Sequence, residues 1–245
     1  MQYLVYDMCI DSFFRMMLSE EDLTNTNLRY NNRFAEFGYD QKSVGWGKKG
    51  RQTERFKILS DVLASHSQVP ESVSILDIGA GFGDLYPFLI SENWTIQSYV
   101  GYEVVSNLAA EGLSQYGNNH NFKMVNKDFL ADDRSEVFDF AFMSGCFNFK
   151  LLNGDNYNYI ESVISKAYRQ SSIGVAANFI TDVVDYTEDY IFYSSPKTIL
   201  DIAYSLTKRF IIDHSYFPYE YSIALLKDQS FSRESPIFND RRLRQ

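Results

Sequence analysis

The sequence predicts an α/β protein built on an open, mostly parallel sheet of seven strands, with helices on both faces. Three observations carry this prediction. Apolar, strand-like runs alternate with amphipathic stretches through residues 71–227. A glycine-spaced turn, Asp77-Ile78-Gly79-Ala80-Gly81-Phe82-Gly83, follows the first of these runs. The last two strand-like runs lie too close together for a helical crossover, so the final strand is expected to run antiparallel to the rest. A chain of 245 residues with 45% hydrophobic content suffices for one such domain with an added lid.

Residues 1–20 suggest a short helix. Residues 21–50 read as a polar loop, with Asn25, Asn27, Asn31 and Asn32 followed by Gly45-Trp46-Gly47. Residues 52–65 read as an amphipathic helix, because Phe56, Leu59 and Leu63 recur at three- and four-residue steps before Pro70. Strands are expected at 73–78, 95–103, 122–126, 137–143 and 173–179. Helices are expected between them: 84–90, a segment through Leu108 and Leu113 ending near Gly117, and 157–169 with Ile160, Val163, Ile164 and Ala167 on one face. Pro196 opens a further helix, 196–206, behind Ser194 and Ser195 as caps. The strands 209–212 and 220–225 close the pattern. Three parts are therefore expected: an N-terminal helical extension or lid (1–70), the main domain (71–227) and a C-terminal tail (228–245).

Net charge is −9, which argues against a broad nucleic-acid footprint. Cys9 and Cys146 lack C-x-x-C spacing, so neither zinc nor a disulfide framework is expected, and a reducing compartment fits. No segment reaches the roughly 18 apolar residues of a membrane span. A soluble, cytoplasmic protein without a bound metal is the expectation.

The glycine turn places a ligand against backbone. The dinucleotide fingerprint G-x-G-x-x-G wants a small third position, where this chain has Asp84, and a carboxylate suits a pyrophosphate poorly. The phosphate loop G-x-x-x-x-G-K-S/T is absent. The segment from Asp77 to Gly83 resembles motif I, D-x-G-x-G-x-G, of the class I S-adenosylmethionine (SAM)-dependent methyltransferases. An acid before the loop suits a ligand carrying an ammonium and a sulfonium. The resemblance implies a Rossmann-like sheet and SAM as cofactor. It implies that Asp77, Gly79, Ala80, Gly81 and Gly83 hold the methionine end. Glu103, with Val104 beside it, would hold the ribose and Asp128 and Phe129 the adenine, with Ser144, in the loop after the fourth strand, a further cofactor contact. Upstream, Trp46, Gln52 and Arg55 match the entry segment of bacterial small-molecule methyltransferases, with Gln52 and Arg55 toward the methionine carboxylate and Trp46 as a lid ring.

Methyl transfer from a sulfonium is an in-line displacement, so the protein has mainly to place the acceptor. An oxygen acceptor also needs a base. The loops after strands supply candidates: Asn148 in Ser144-Gly145-Cys146-Phe147-Asn148, Asp185 in the acidic, aromatic insertion 182–193, and His214 between the last two strands. Histidine titrates near working pH, which makes His214 the first choice of base. The D/N/S-P-P-Y/F motif of adenine and amino N-methyltransferases is missing after the fourth strand. The expected function is therefore methyl transfer to a small molecule or glycan, at oxygen, by a monomer or homodimer. Two other readings stand beside it. One is a protein or RNA methyltransferase, supported by the basic end Arg241-Arg242-Leu243-Arg244. The other is a SAM- or nucleoside-binding subunit without chemistry of its own.

Overall fold

The computed structural model describes residues 17–45 and 51–227. Trp46, the tail 228–245 and most of the helix expected in 1–20 lie outside the described residues. The elements in chain order are α1 (Glu20–Phe37), α2 (Arg51–His66), β1 (Val73–Ile78), α3 (Leu85–Ser91), β2 (Ile96–Tyr102), α4 (Ser106–Tyr116), β3 (Phe122–Val125), β4 (Phe138–Met143), α5 (Asn156–Arg169), β5 (Ser171–Ile180), α6 (Pro196–Leu206), β6 (Phe210–Phe217) and β7 (Glu220–Leu226).

The seven strands lie in the order β3-β2-β1-β4-β5-β7-β6. Six run in one direction, and only β7 is antiparallel, inserted between β5 and β6. Two cores follow from the strict alternation of the strands. On one face Leu76, Val100, Ala141, Val175 and Ile223 pack against Ile160, Val163 and Ile164 of α5 and Ile199 and Ile202 of α6. On the other, Ile75, Tyr99, Phe140, Ala176 and Ala224 pack against Phe56, Leu59 and Leu63 of α2, Leu85 and Leu89 of α3 and Ala109 of α4. Each strand of the central four is buried on both faces, which is why it reads as an apolar run.

Two expectations are corrected. Residues 20–37, read as loop, form the helix α1. Its asparagines carry no apolar stripe, so periodicity misses it. Its ends are nonetheless written in the sequence: Ser19 caps it by accepting from Asp22 N at 3.0 Å, Glu20, Glu21 and Asp22 complement the dipole, and Gly38 ends it at φ 63°. The second correction concerns the last hairpin. β6 continues through His214 to Phe217, so His214 lies inside a strand and the turn is only Pro218-Tyr219.

Candidate active site

The carboxyl ends of β1, β2, β3 and β4 open into a cleft with about 1130 Å³ of empty space, its solvent-open part included. In open parallel sheets this edge is where ligands bind. Its floor is Asp77 to Gly81, one wall is Tyr102 to Val104 with Asp128 and Phe129, and the other is Ser144 to Phe147. Leu18, Thr26 and Tyr30 of the α1 segment, with Val44, form the roof.

The glycine loop is a backbone cradle in the structural sense. Gly79 sits at φ 72°, and a Cβ there would collide with the Cβ of Cys146. Gly81 sits at φ 57°, with Val44 Cγ1 at 3.0 Å from where a Cβ would stand. A side chain at either position is excluded both by conformation and by the opposing wall. Gly83, also at positive φ, faces Phe122 and Met124 instead of the cleft.

Asp77 is 3% exposed and accepts from Tyr99 Oη. Burial pushes its carboxyl up to about 7, and the nearby Glu103 charge adds to the rise. Glu103 accepts from Gly81 N and Val105 N, both at 2.8 Å, and burial pushes it to about 7 as well. Each of its oxygens holds one bond and has room for a second. Two buried, repelling carboxyls with no cation between them among the described residues favour a positively charged ligand. Asp128 accepts from Leu130 N at 3.0 Å through one oxygen and from Leu18 N at 3.1 Å through the other. The start of the α1 segment is thereby tied to the acid that the resemblance sets against adenine.

The remaining expected residues divide. Gln52, Ala80, Val104, Phe129 and Ser144 line the cleft. Arg55 does not: its guanidinium grips Glu220 of β7, with Nε at 2.6 Å and Nη2 also bonded. Asn148 stands between two lining residues, Phe147 and Phe149, and its side-chain oxygen is buried without a hydrogen-bond partner. Asp185 is exposed and accepts from Tyr219 Oη. His214 is exposed on β6, its ring tilted against Tyr221 at 5.9 Å. The structure therefore does not bring His214 and Asp185 to the cleft. The described residues that line it include no histidine.

Sequence reasoning missed the roof. Thr26 and Tyr30 lie on α1, and its cap at Ser19 and stop at Gly38 were the signals available. It also missed what Asp84 does. Asp84 accepts from Tyr39 Oη at 2.7 Å and Tyr116 Oη at 2.8 Å, which locks the segment after α1 onto the glycine loop. Among the described residues no cluster of histidine, cysteine, aspartate or glutamate forms a metal site, and no helix is long and apolar enough to cross a membrane.

This sheet order, with the cleft at its carboxyl edge, is the fold of the class I SAM-dependent methyltransferases. The chain is similar to magnesium protoporphyrin IX methyltransferase (ChlM) from Synechocystis PCC 6803 with bound SAH, at 12% identity and TM-score 0.60, covering 84% of this chain and 100% of that one. It is similar to the N-methyltransferase NodS from Bradyrhizobium japonicum WM9 in complex with S-adenosyl-L-homocysteine (SAH), at 12% identity and TM-score 0.60, covering 82% and 98%. It is also similar to the cyclase SpnF, at 16% identity and TM-score 0.50, covering 68% and 62%. No protein-family model matches the chain, and no curated protein sequence matches it. At such identities the likeness establishes the fold, and the chemistry has to be argued from the site.

Proposed function

We propose that this chain is a SAM-dependent methyltransferase acting on a small molecule or glycan, with oxygen as the accepting atom. One observation carries the reading: the buried acids Asp77 and Glu103 flank a glycine turn in the cleft at the carboxyl ends of the strands. Solved structures of the same fold that hold SAM or SAH agree with it.

The residues fit SAM in three ways. Gly79 and Gly81 hold positive-φ turns that bring the loop backbone to the floor of the cleft. Glu103 keeps free lone pairs for a diol, while its bond to Gly81 N fixes the loop. Phe129, 3% exposed, offers an apolar surface beside Asp128. Bound SAM would supply an electrophilic methyl group on a sulfonium. Asp77 would hold the cationic portion and Glu103 the ribose diol, Ser144 and Asn148 would border the acceptor, and the α1 roof would exclude water. Transfer to a hydroxyl releases a proton, and since the described residues lining the cleft include no histidine, that proton would pass to one of its carboxylates or to water.

Calorimetric titration with SAM tests this reading directly. Binding is expected, and Asp77→Ala or Glu103→Ala should weaken it by about 1–3 kcal/mol. Absence of binding at millimolar SAM overturns the proposal. His214→Ala should leave turnover within about threefold of the parent chain, since a general base contributes at least about a hundredfold. A hundredfold loss would restore His214 as the base and require the hairpin to move.

A further inference from the structure

We infer that Lys166 of α5 is a positioning residue for the cofactor: it grips the loop after β3 and so sets the Phe129 ring and the Asp128 carboxylate against the adenine. The inference rests on the methyltransferase reading and adds a residue outside the cleft lining that determines how the adenine end of the site is built.

Residues 126–137 join β3 to β4 outside the sheet. Asp128 and Phe129 of this loop line the cleft. They open a single turn of 3-10 helix, Phe129–Ala131, which Asp128 caps by accepting from Leu130 N at 3.0 Å. One turn has little stability of its own, so its place is set by what holds it from outside.

Lys166 supplies that hold. It is 4% exposed, and its Nζ donates to Phe129 O and to Asp132 O, the latter at 2.5 Å. These carbonyls belong to the first residue of the turn and to its C-cap. The ammonium also lies 4.2 Å from the centroid of the Phe129 ring. One side chain thus fixes both ends of the turn and the ring that borders the cleft. Tyr102 of β2 braces the other side: its ring meets Phe129 edge-on at 5.1 Å, and its hydroxyl donates to Asp132 at 3.1 Å. One helical turn beyond Lys166, Gln170 Nε2 donates to Arg134 O at 2.5 Å and holds the far end of the loop.

Burying an ammonium costs free energy, and an apolar side chain of the same length would fill the space without that cost. What the ammonium adds is several donors at one point and attraction to a ring face. Both act on the stretch that carries Asp128 and Phe129. Asp128 is joined directly to the gripped residue, so a displaced turn carries its carboxylate along. A shift of about 1 Å is enough to lose a hydrogen bond.

Calorimetric titration of the full chain, well below its Tm, compares SAH with S-inosylhomocysteine, in which a carbonyl oxygen replaces the 6-amino group of the purine. Asp128 would accept from the amine and repel the carbonyl, so the parent chain should prefer SAH at least about tenfold, the worth of one hydrogen bond to a charged group. Lys166→Met should weaken SAH by about tenfold and S-inosylhomocysteine much less, so that the preference narrows by more than about threefold. A purely structural lysine would lower Tm and leave the preference within threefold of the parent's, which overturns the inference. Gln170→Ala loosens the far end of the same loop and should keep the preference. An equal narrowing there would assign the effect to general loosening and overturn the inference too. Lys166→Gln, with a neutral donor in place of the ammonium, should also narrow the preference, and it carries the comparison if the Met variant does not fold. Failure of both variants to fold would make Lys166 a folding residue only and overturn the inference, as would a parent chain without preference. Failure of the parent chain to bind SAH at all would instead overturn the methyltransferase reading.

Discussion

Asp77 and Glu103 hold protons in the folded chain that an unfolded chain gives up. Their ordinary values lie near 4, and burial raises both to about 7. Between those limits the native state binds more protons, so stability falls as pH rises from about 4 to about 7. A cationic ligand reverses the penalty, because it favours the ionised pair. Its affinity should therefore rise with pH through 7, with protons released on binding. Calorimetry in buffers of different ionisation enthalpy measures that release. Asp77→Asn should flatten the decline of Tm between pH 5 and pH 8 in the ligand-free chain. An equal slope in parent and variant would place the proton elsewhere. The two acids interact, so the titration belongs to the pair.

At the scale of elements, α1 determines whether the cleft is closed. Asp22, fully buried, accepts from Leu152 N at 2.6 Å and from Ser19 Oγ at 2.6 Å. Arg29 lies over the rings of Tyr190 at 4.0 Å and Phe149 at 5.0 Å. Tyr39 ties the far end to Asp84. The helix is thus held at both ends and in the middle, and mainly by polar contacts. Asp22→Ala removes the acceptor of both the Leu152 amide and the Ser19 hydroxyl, so it should loosen α1 by about 2 kcal/mol. Hydrogen exchange should then quicken roughly thirtyfold in α1 while the amides of β1 and β4 keep their protection. Uniform loss of protection would mean that α1 and the sheet open together. Sequence reading expected a loop here because it looked for an apolar stripe, and α1 is held by a cap, a buried acid and stacked cations.

For the whole molecule, the ion pair Arg55–Glu220 joins α2 to β7 and so ties the N-terminal part of the chain to the antiparallel end of the sheet. Both side chains are buried, at 4% and 14% exposure. Glu220→Ala takes the counter-charge from a buried guanidinium and should cost about 3 kcal/mol, or roughly 10 °C in Tm. The same variant should not abolish SAM binding, because Arg55 lies outside the cleft lining. Loss of binding with the fold intact would restore the expected contact between Arg55 and the methionine carboxylate. Saturation with SAM at a hundred times its Kd should stabilise the whole chain by about 2.7 kcal/mol.

The sequence by itself determined the alternation of strands and helices, the antiparallel last strand and the glycine cradle with its acids. These are local statements: an apolar run buried on both faces, a turn that only glycine can make, an acid at a strand end. Tertiary structure alone decided the rest. It turned Arg55 away from the cleft to Glu220, because a buried guanidinium takes the carboxylate within reach. It extended β6 past His214, because pairing with β7, irregular between Asp213 and Phe217, resumes at Phe217 opposite Glu220. It laid α1 over the cleft through contacts with Asp128, Leu152 and Asp84, far away in the chain. Spacing along a chain reports what each residue can do, and only the packed sheet determines which partner each one meets.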